Sequence, residues 1–260
     1  MASAEIWVRP FPAGIGAEEW QVRCDLAALY RLVAHFRMTD FIYTHISARL
    51  PGPEHQFLIN QYGVLFHEMR ASDLVKIDLE GRIIGQDEQL SRRVNAAGFT
   101  IHSAIHAARP DLTCVVHTHT AAGIAVSAQK HGLLPISQHA MMFHGHLAYH
   151  DYEGIALELD ERARLVADLG QHQAMILRNH GLLVAGRSIA EAFLLIYYLE
   201  RACQAQIQAL AGGAELIIPS EAVAAHTAAQ FHGPARAGAE GLAWNAALRL
   251  IENDRPDYRS

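Results

Sequence analysis

Two histidines, His117 and His119, stand one residue apart in CVVHTHTA, directly after the apolar run Cys114-Val115-Val116. In a strand, residues i and i+2 point to the same face. The spacing therefore predicts two imidazoles on one side of a buried strand, with Thr118 on the other. Imidazole is the common side-chain ligand for transition metals, and two of them on rigid backbone form a two-point grip. A catalytic zinc usually takes three protein ligands and keeps a fourth position open. The best third donor is His180 in RNHGLL, where a tight turn at Asn179-His180-Gly181 separates two apolar runs and projects a side chain outward. Ordinary sheet histidines satisfied by carbonyls are the alternative. The apolar flanks of both segments, CVV and MIL, favour the metal.

The chain holds 17 histidines, so position has to separate chemistry from surface. His102 and His106 are four apart on one helical face. Ile101 and Ile105 mark the core side of that helix, which predicts a surface pair. His144 and His146 repeat the His-x-His spacing beside His150 in FHGHLAYHDYEG, which reads as a solvated loop, with a second metal grip or a redirected first one as the alternative. Tyr149 and Tyr152 in the same stretch are candidates to donate to a substrate oxygen or to pack. The odd, widely spaced cysteines Cys24, Cys114 and Cys203 make neither a disulfide framework nor a zinc knuckle.

The elements that must position these residues follow from periodicity. EEWQVRCDLAALYRLVAHFR carries apolar residues at helical spacing. FIYTHISARLPGPEHQFLINQYGVLFHEM reads as two short strands broken by the turn PGPE, and LVKIDLEGRIIGQ as a hairpin about Glu80-Gly81. VNAAGFTIHSAIHAARPD is a helix stopped at Arg109-Pro110. LTCVVHTHT is a strand, AAGIAVSAQKHG a helix with Gly132 as its C-cap, and DERARLVADLGQ another helix. QAMILRNHGLLVAG is a strand–turn–strand unit, and IAEAFLLIYYLERACQAQIQAL a long helix ended by Gly212-Gly213. The tail is Ala-rich and weakly patterned, with one last helix predicted near GLAWNAALRLIEN. The hairpins among these helices predict an α/β class with a mixed or antiparallel sheet.

Composition narrows the partners. The net charge of −6, with no basic stripe, argues against nucleic acid. No secretory signal is visible at the N-terminus, and no apolar run is long enough to span a membrane. A cytoplasmic location is expected. The 51% hydrophobic content against 18% charge suggests that some apolar surface is covered between subunits.

RPDLTCVVHTHT, ILRNHGLLVAG and EAFLLIYYLE together resemble the class II aldolase/adducin family. HISARLPG, FLIN with YG, AGFTIHSAIHAARPD, GLLPIS and AYHDYEGI look most like its adducin head-domain branch. The resemblance covers residues 23–213, with 1–22 as an N-terminal extension and 214–260 as a C-terminal tail. It implies a three-layer α/β/α sandwich around a predominantly antiparallel sheet, and a homotetramer with active sites between subunits. It also implies a divalent metal, typically zinc, on His117, His119 and His180. The pattern departs at the catalytic carboxylate, whose matching position is Gly98. The phosphate cradle departs as well. Thr44-His45 stand for a Gly-Asn pair and Ala96-Ala97 for two serines, and only Gly63 is kept. His139 in PISQHAMM falls near the family's tyrosine acid, and with Tyr149 it makes up the candidate catalytic set.

Two readings stay open. One is a metal-dependent lyase performing aldolase-like carbon–carbon cleavage, or related enediolate chemistry, on a small, anionic, non-phosphorylated substrate. Zinc is expected, with iron or manganese tolerated, and an iron-dependent oxygenase is a variant of this reading. The other is a non-catalytic oligomerisation module like an adducin head, although no long basic tail follows.

Overall fold

A computed structural model describes residues 14–85, 94–155, 159–234, 238–252 and 256–260. Seven strands form one sheet in the order β3-β2-β1-β4-β7-β6-β5. These are β1 (His45–Arg49), β2 (Phe57–Ile59), β3 (Val75–Ile77), β4 (Cys114–Thr118), β5 (Leu147–His150), β6 (Ala174–Leu177) and β7 (Gly181–Gly186). Every neighbouring pair is antiparallel except β5 with β6. The mixed α/β class with a predominantly antiparallel sheet is therefore as expected.

Among the described residues eight α-helices accompany the sheet: α1 (Ala17–His35), α2 (Ala96–Ala108), α3 (Ala121–Ser127), α4 (Gln138–Met141), α5 (Glu161–Leu169), α6 (Ile189–Leu210), α7 (Glu221–His232) and α8 (Ala239–Glu252). Alternation along β4 sorts them into layers. Cys114 and Val116 join Leu29, Leu32, Ile196, Leu199 and Trp244 in the core beneath α1, α6 and α8. Val115, between them, faces the other side, against Ile101 and Ile105 of α2 and Leu165 and Leu169 of α5. Side chains fix the helix starts. Asn95 accepts from the Ala97 and Gly98 amides at α2, Thr120 from Gly123 at α3, and Ser188 from Glu191 at α6.

Three local expectations change. The helix at 121 stops at Ser127, capped by Ala128, and Gly132 lies in a later turn with φ +66°. The segment after β3 returns only as a single bridge, Ile77 to Ile83, rather than as a full second arm. The tail builds two helices rather than one. α8 packs on α1 and α6 and adds Trp244, Ala247 and Ile251 to the main core. Among the described residues, no helix is long and apolar enough to cross a membrane.

Tyr30 of α1 locks this layer to the sheet. Its buried hydroxyl accepts from the Ile46 amide at 2.9 Å and the Asn60 amide at 3.1 Å. Tyr30→Phe strands both amides in the core, and each unmet buried group costs about 1–3 kcal/mol. The variant should lose about 2 kcal/mol or more in urea unfolding; a loss below about 0.5 kcal/mol would refute the role.

Candidate metal centre

His117 occupies the last turn of the β4 ladder, opposite Leu183 of β7, and His119 follows directly after the strand. His180 closes the turn between β6 and β7, whose register places it at the same end of the sheet. Asn179 adopts a left-handed φ of +56° in that turn, a conformation that asparagine tolerates. Gly181 is required by space. A Cβ there would lie 2.3 Å from the Thr118 carbonyl oxygen and 3.3 Å from the His119 ring. The motif Asn-His-Gly thus lets β7 approach β4 closely enough to bring His180 to His119.

The three ligand-capable nitrogens converge. His119 Nε2 lies 2.7 Å from His117 Nε2 and 2.9 Å from His180 Nε2, and the donor atoms of all three lie within 4.8 Å of one another. His117 is buried, while His119 and His180 are partly exposed, so one side of the group faces outward. Outer partners fix the rings. His117 Nδ1 donates to the Leu182 carbonyl at 2.9 Å, and His119 Nδ1 meets Asp40 Oδ2 at 2.9 Å. Asp40 is 79 residues from His119, and no motif in the sequence marks it.

These partners decide what the centre can hold. A neutral imidazole that spends its N–H on Nδ1 has only a lone pair on Nε2. His117 and His119 then face each other with two lone pairs, which no hydrogen bond can join. Burial, reinforced by neighbouring His180, His45 and His119, holds His117 well below the usual imidazole range. Burial, then His119 and His150, pushes His180 down to about 4. Converging imidazole nitrogens, two of the rings backed by an outer acceptor, fit a divalent cation.

Where the family pattern calls for a carboxylate, the structure has a fourth imidazole. A Cβ on Gly98 would lie 2.6 Å from Cδ2 of His45, so the His45 ring fills that space. His45 stands opposite His117 in the β1–β4 pairing, with ring centroids 5.1 Å apart. Its Nδ1 meets His102 Nε2 at 2.8 Å. His102 and His106 are not a surface pair; they are 0% and 1% exposed. α2 is covered on two sides, by β4, β6, β7 and α5 along Ile101 and Ile105, and by β1 along the histidines.

The other candidates lie elsewhere. His139, on α4, sets its ring 5.0 Å from that of Tyr198. Tyr149 accepts from the Leu133 amide, and its ring carries the Arg178 guanidinium at 4.2 Å. Tyr152, half exposed, is 6.2 Å from His180 between ring centroids. His144 pairs with Glu221, and His146 stacks on His232 with centroids 4.0 Å apart.

Two consequences can be measured. Burial pushes His106 down to about 3, and His180 sits at about 4, against an ordinary value of 6.5. Below pH 6.5 the unfolded chain binds protons that the folded chain refuses, so stability falls as pH drops through this window. Metal-free protein should lose up to about 1.4 kcal/mol per pH unit for each such group. A urea midpoint that stays flat from pH 7 to pH 5 would exclude neutral, buried imidazoles. Separately, Gly181→Ala should lower bound zinc at least ~10-fold, the scale seen when a ligand's support is lost. Unchanged zinc would show that the close approach is dispensable.

Comparison with known proteins follows this geometry. The family model "Class II Aldolase and Adducin N-terminal domain" matches residues 24–207. A protein of Caulobacter vibrioides named for class 2 aldolases is 49% identical over 258 residues, covering 99% of each chain. The crystal structure of an aldolase II superfamily protein from Pseudomonas syringae has a TM-score of 0.90 at 53% identity, covering 95% of this chain and 98% of that one. L-fuculose 1-phosphate aldolase from Glaciozyma antarctica superposes with a TM-score of 0.82 at 31% identity, covering 97% of each. With the match spanning most of its length and a histidine cluster at the end of its central strands, this chain belongs to the class II aldolase and adducin family.

Proposed function

We propose that His117, His119 and His180 hold one divalent cation, and that the chain is a metal-dependent lyase. The reaction is aldolase-like cleavage of a carbon–carbon bond in a small, oxygenated, anionic substrate that carries no phosphate. The observation behind this is the convergence of three Nε2 atoms, two of them backed by Leu182 and Asp40. When bound, such a cation supplies Lewis acidity toward substrate oxygens. Zinc suits the all-imidazole set, and iron or manganese is compatible with it.

The residues around the triad support the substrate class. Three neutral ligands leave the full cation charge uncompensated, which attracts an anion. Thr44 and His45, which stand where the sugar-phosphate branch has its Gly-Asn pair, are 1% and 2% exposed, so that stretch offers no open cradle for a phosphate. Exposed Phe41, Tyr43 and Tyr152 lie in the segments that carry Asp40 and approach His180. Covering them in a homotetramer would enclose the opening. Within one chain His139 packs on Tyr198 away from the triad, so its use as an acid belongs to that assembly. Tyr149, by holding Arg178 at the start of the His180 turn, acts through the turn's position.

The competing reading, an oligomerisation module without catalysis, predicts less than one metal per chain. Protein purified without chelator should carry about one metal ion per subunit by elemental analysis, and His117→Ala should lose it. Asp40→Asn should weaken zinc binding by about 10–100-fold, because an outer acceptor orients its ligand. Carbon–carbon cleavage, screened over 2-hydroxy and 2-keto acids, should vanish in His117→Ala and on chelation. Sub-stoichiometric metal, or cleavage that survives His117→Ala, would sink the proposal.

A further inference from the structure

A second polar assembly lies on the α2 face of the sheet. His45 Nδ1 is 2.8 Å from His102 Nε2, and His102 Nδ1 is 2.6 Å from Ser47 Oγ. The same Ser47 oxygen is 2.7 Å from His106 Nε2. All four side chains are buried, with none more than 2% exposed. His45 and Ser47 are successive residues on one face of β1, and His102 and His106 are successive turns of α2. The chain of contacts therefore zigzags between strand and helix. Among the described residues no carboxylate pairs with these buried rings, and an uncompensated buried charge is costly, so each ring is neutral. A neutral ring carries one N–H and one lone pair.

Each junction in this chain needs one donor and one acceptor. Two N–H groups, or two lone pairs, meeting in the core leave buried polar groups unsatisfied. Ser47 has a single O–H, so it donates to one imidazole and accepts from the other. Suppose His106 carries its proton on Nδ1. Its Nε2 then accepts from Ser47, whose oxygen accepts from His102 Nδ1–H, and His102 Nε2 accepts from His45 Nδ1–H. Place the His106 proton on Nε2 instead and every link reverses. The order of atoms along the chain admits two states only: all three rings Nδ1–H, or all three Nε2–H.

We infer that His45, His102 and His106 share one tautomer, coupled through Ser47. His102, Ser47 and His106 are then positioning residues that decide what the remaining nitrogen of His45, Nε2, presents beside His117. In the first state it offers a lone pair, which accepts from a substrate hydroxyl. In the second it offers an N–H, which donates to a substrate carbonyl or carboxylate. This use of the coupling rests on the triad being the metal site proposed above; the coupling itself does not.

The test is the protonation pattern of the three rings in histidine-selective 15N NMR, on full-length protein with zinc added and with zinc chelated. Signals are assigned by their loss in His45→Gln, His102→Gln and His106→Gln. In the native chain, all three rings should carry the proton on the same nitrogen type. In Ser47→Ala, His106 should cease to match His102, while Ser47→Thr, which keeps the hydroxyl, should preserve the match. A native chain with mixed tautomers, a charged ring among the three, or agreement undisturbed in Ser47→Ala would overturn the inference. Metal content read on the same samples separates the two claims. Matched tautomers without bound zinc support the coupling and remove the metal site, whereas mixed tautomers with full zinc do the reverse.

Discussion

β4 lies between β1 and β7, and each of these neighbours sets a histidine against it. Pairing with β1 puts His45 opposite His117, and pairing with β7 carries the His180 turn to His119. A shift of one residue in either register turns every side chain of the shifted strand to the other face. A shift of β4 would take His117 from the triad, and a shift of β1 would drive His45 into the aliphatic core that Cys114, Val116 and Leu182 share with α1 and α6. Register is thus the constraint from which both polar assemblies follow. It is enforced from both sides, by β-branched and aliphatic residues facing one layer and by histidines paired in the other.

Concentrating neutral imidazoles at one end of a sheet is unfavourable unless each nitrogen has a partner. The molecule meets this in two ways. In the layer against α2, the rings pair with one another and with Ser47, leaving His106 Nδ1 as the one buried nitrogen of the three rings without a hydrogen bond. At the triad, the Nδ1 atoms of His117 and His119 reach Leu182 and Asp40, and their Nε2 atoms are left facing one another. The contrast separates a structural cluster from a binding centre. In the first the facing nitrogens alternate with a hydroxyl that can donate and accept, whereas in the second lone pairs converge on a common point. Burial alone would give the same direction of pKa displacement in both, so that displacement does not tell them apart; the hydrogen-bond directions do.

Much of this was legible in the residues. Period-2 alternation located β4, and the turn Asn179-His180-Gly181 between two apolar runs located the third histidine of the cluster. The long helix and its end at Gly212-Gly213 needed only periodicity. Other features were hidden for definable reasons. Helical periodicity assigns one buried face, and α2 has two, so His102 and His106 read as surface residues although they are core. Asp40 reaches His119 across 79 residues, a distance at which spacing carries no signal. α7 is Ala-rich with only Ala224 and Ala228 buried, so its sequence shows no apolar stripe to read. Gly98 looked like the loss of a functional group because a sequence cannot show what fills the vacated space.

That last point bears on how departures from a family pattern are read. A carboxylate at position 98 and the His45 ring cannot coexist here, since even a methyl group on Gly98 would lie 2.6 Å from the imidazole. The missing side chain at Gly98 on α2 is what leaves room for the His45 ring on β1. The histidine occupies this space with partners of its own: its Nδ1 meets His102, which pairs with Ser47, and Ser47 with His106. Decay of an unused site would be expected to leave apolar or small residues in the space. Instead a polar side chain tied to three others occupies it, 5.1 Å from His117. A chain of buried imidazoles linked through Ser47 thus occupies the space beside Gly98.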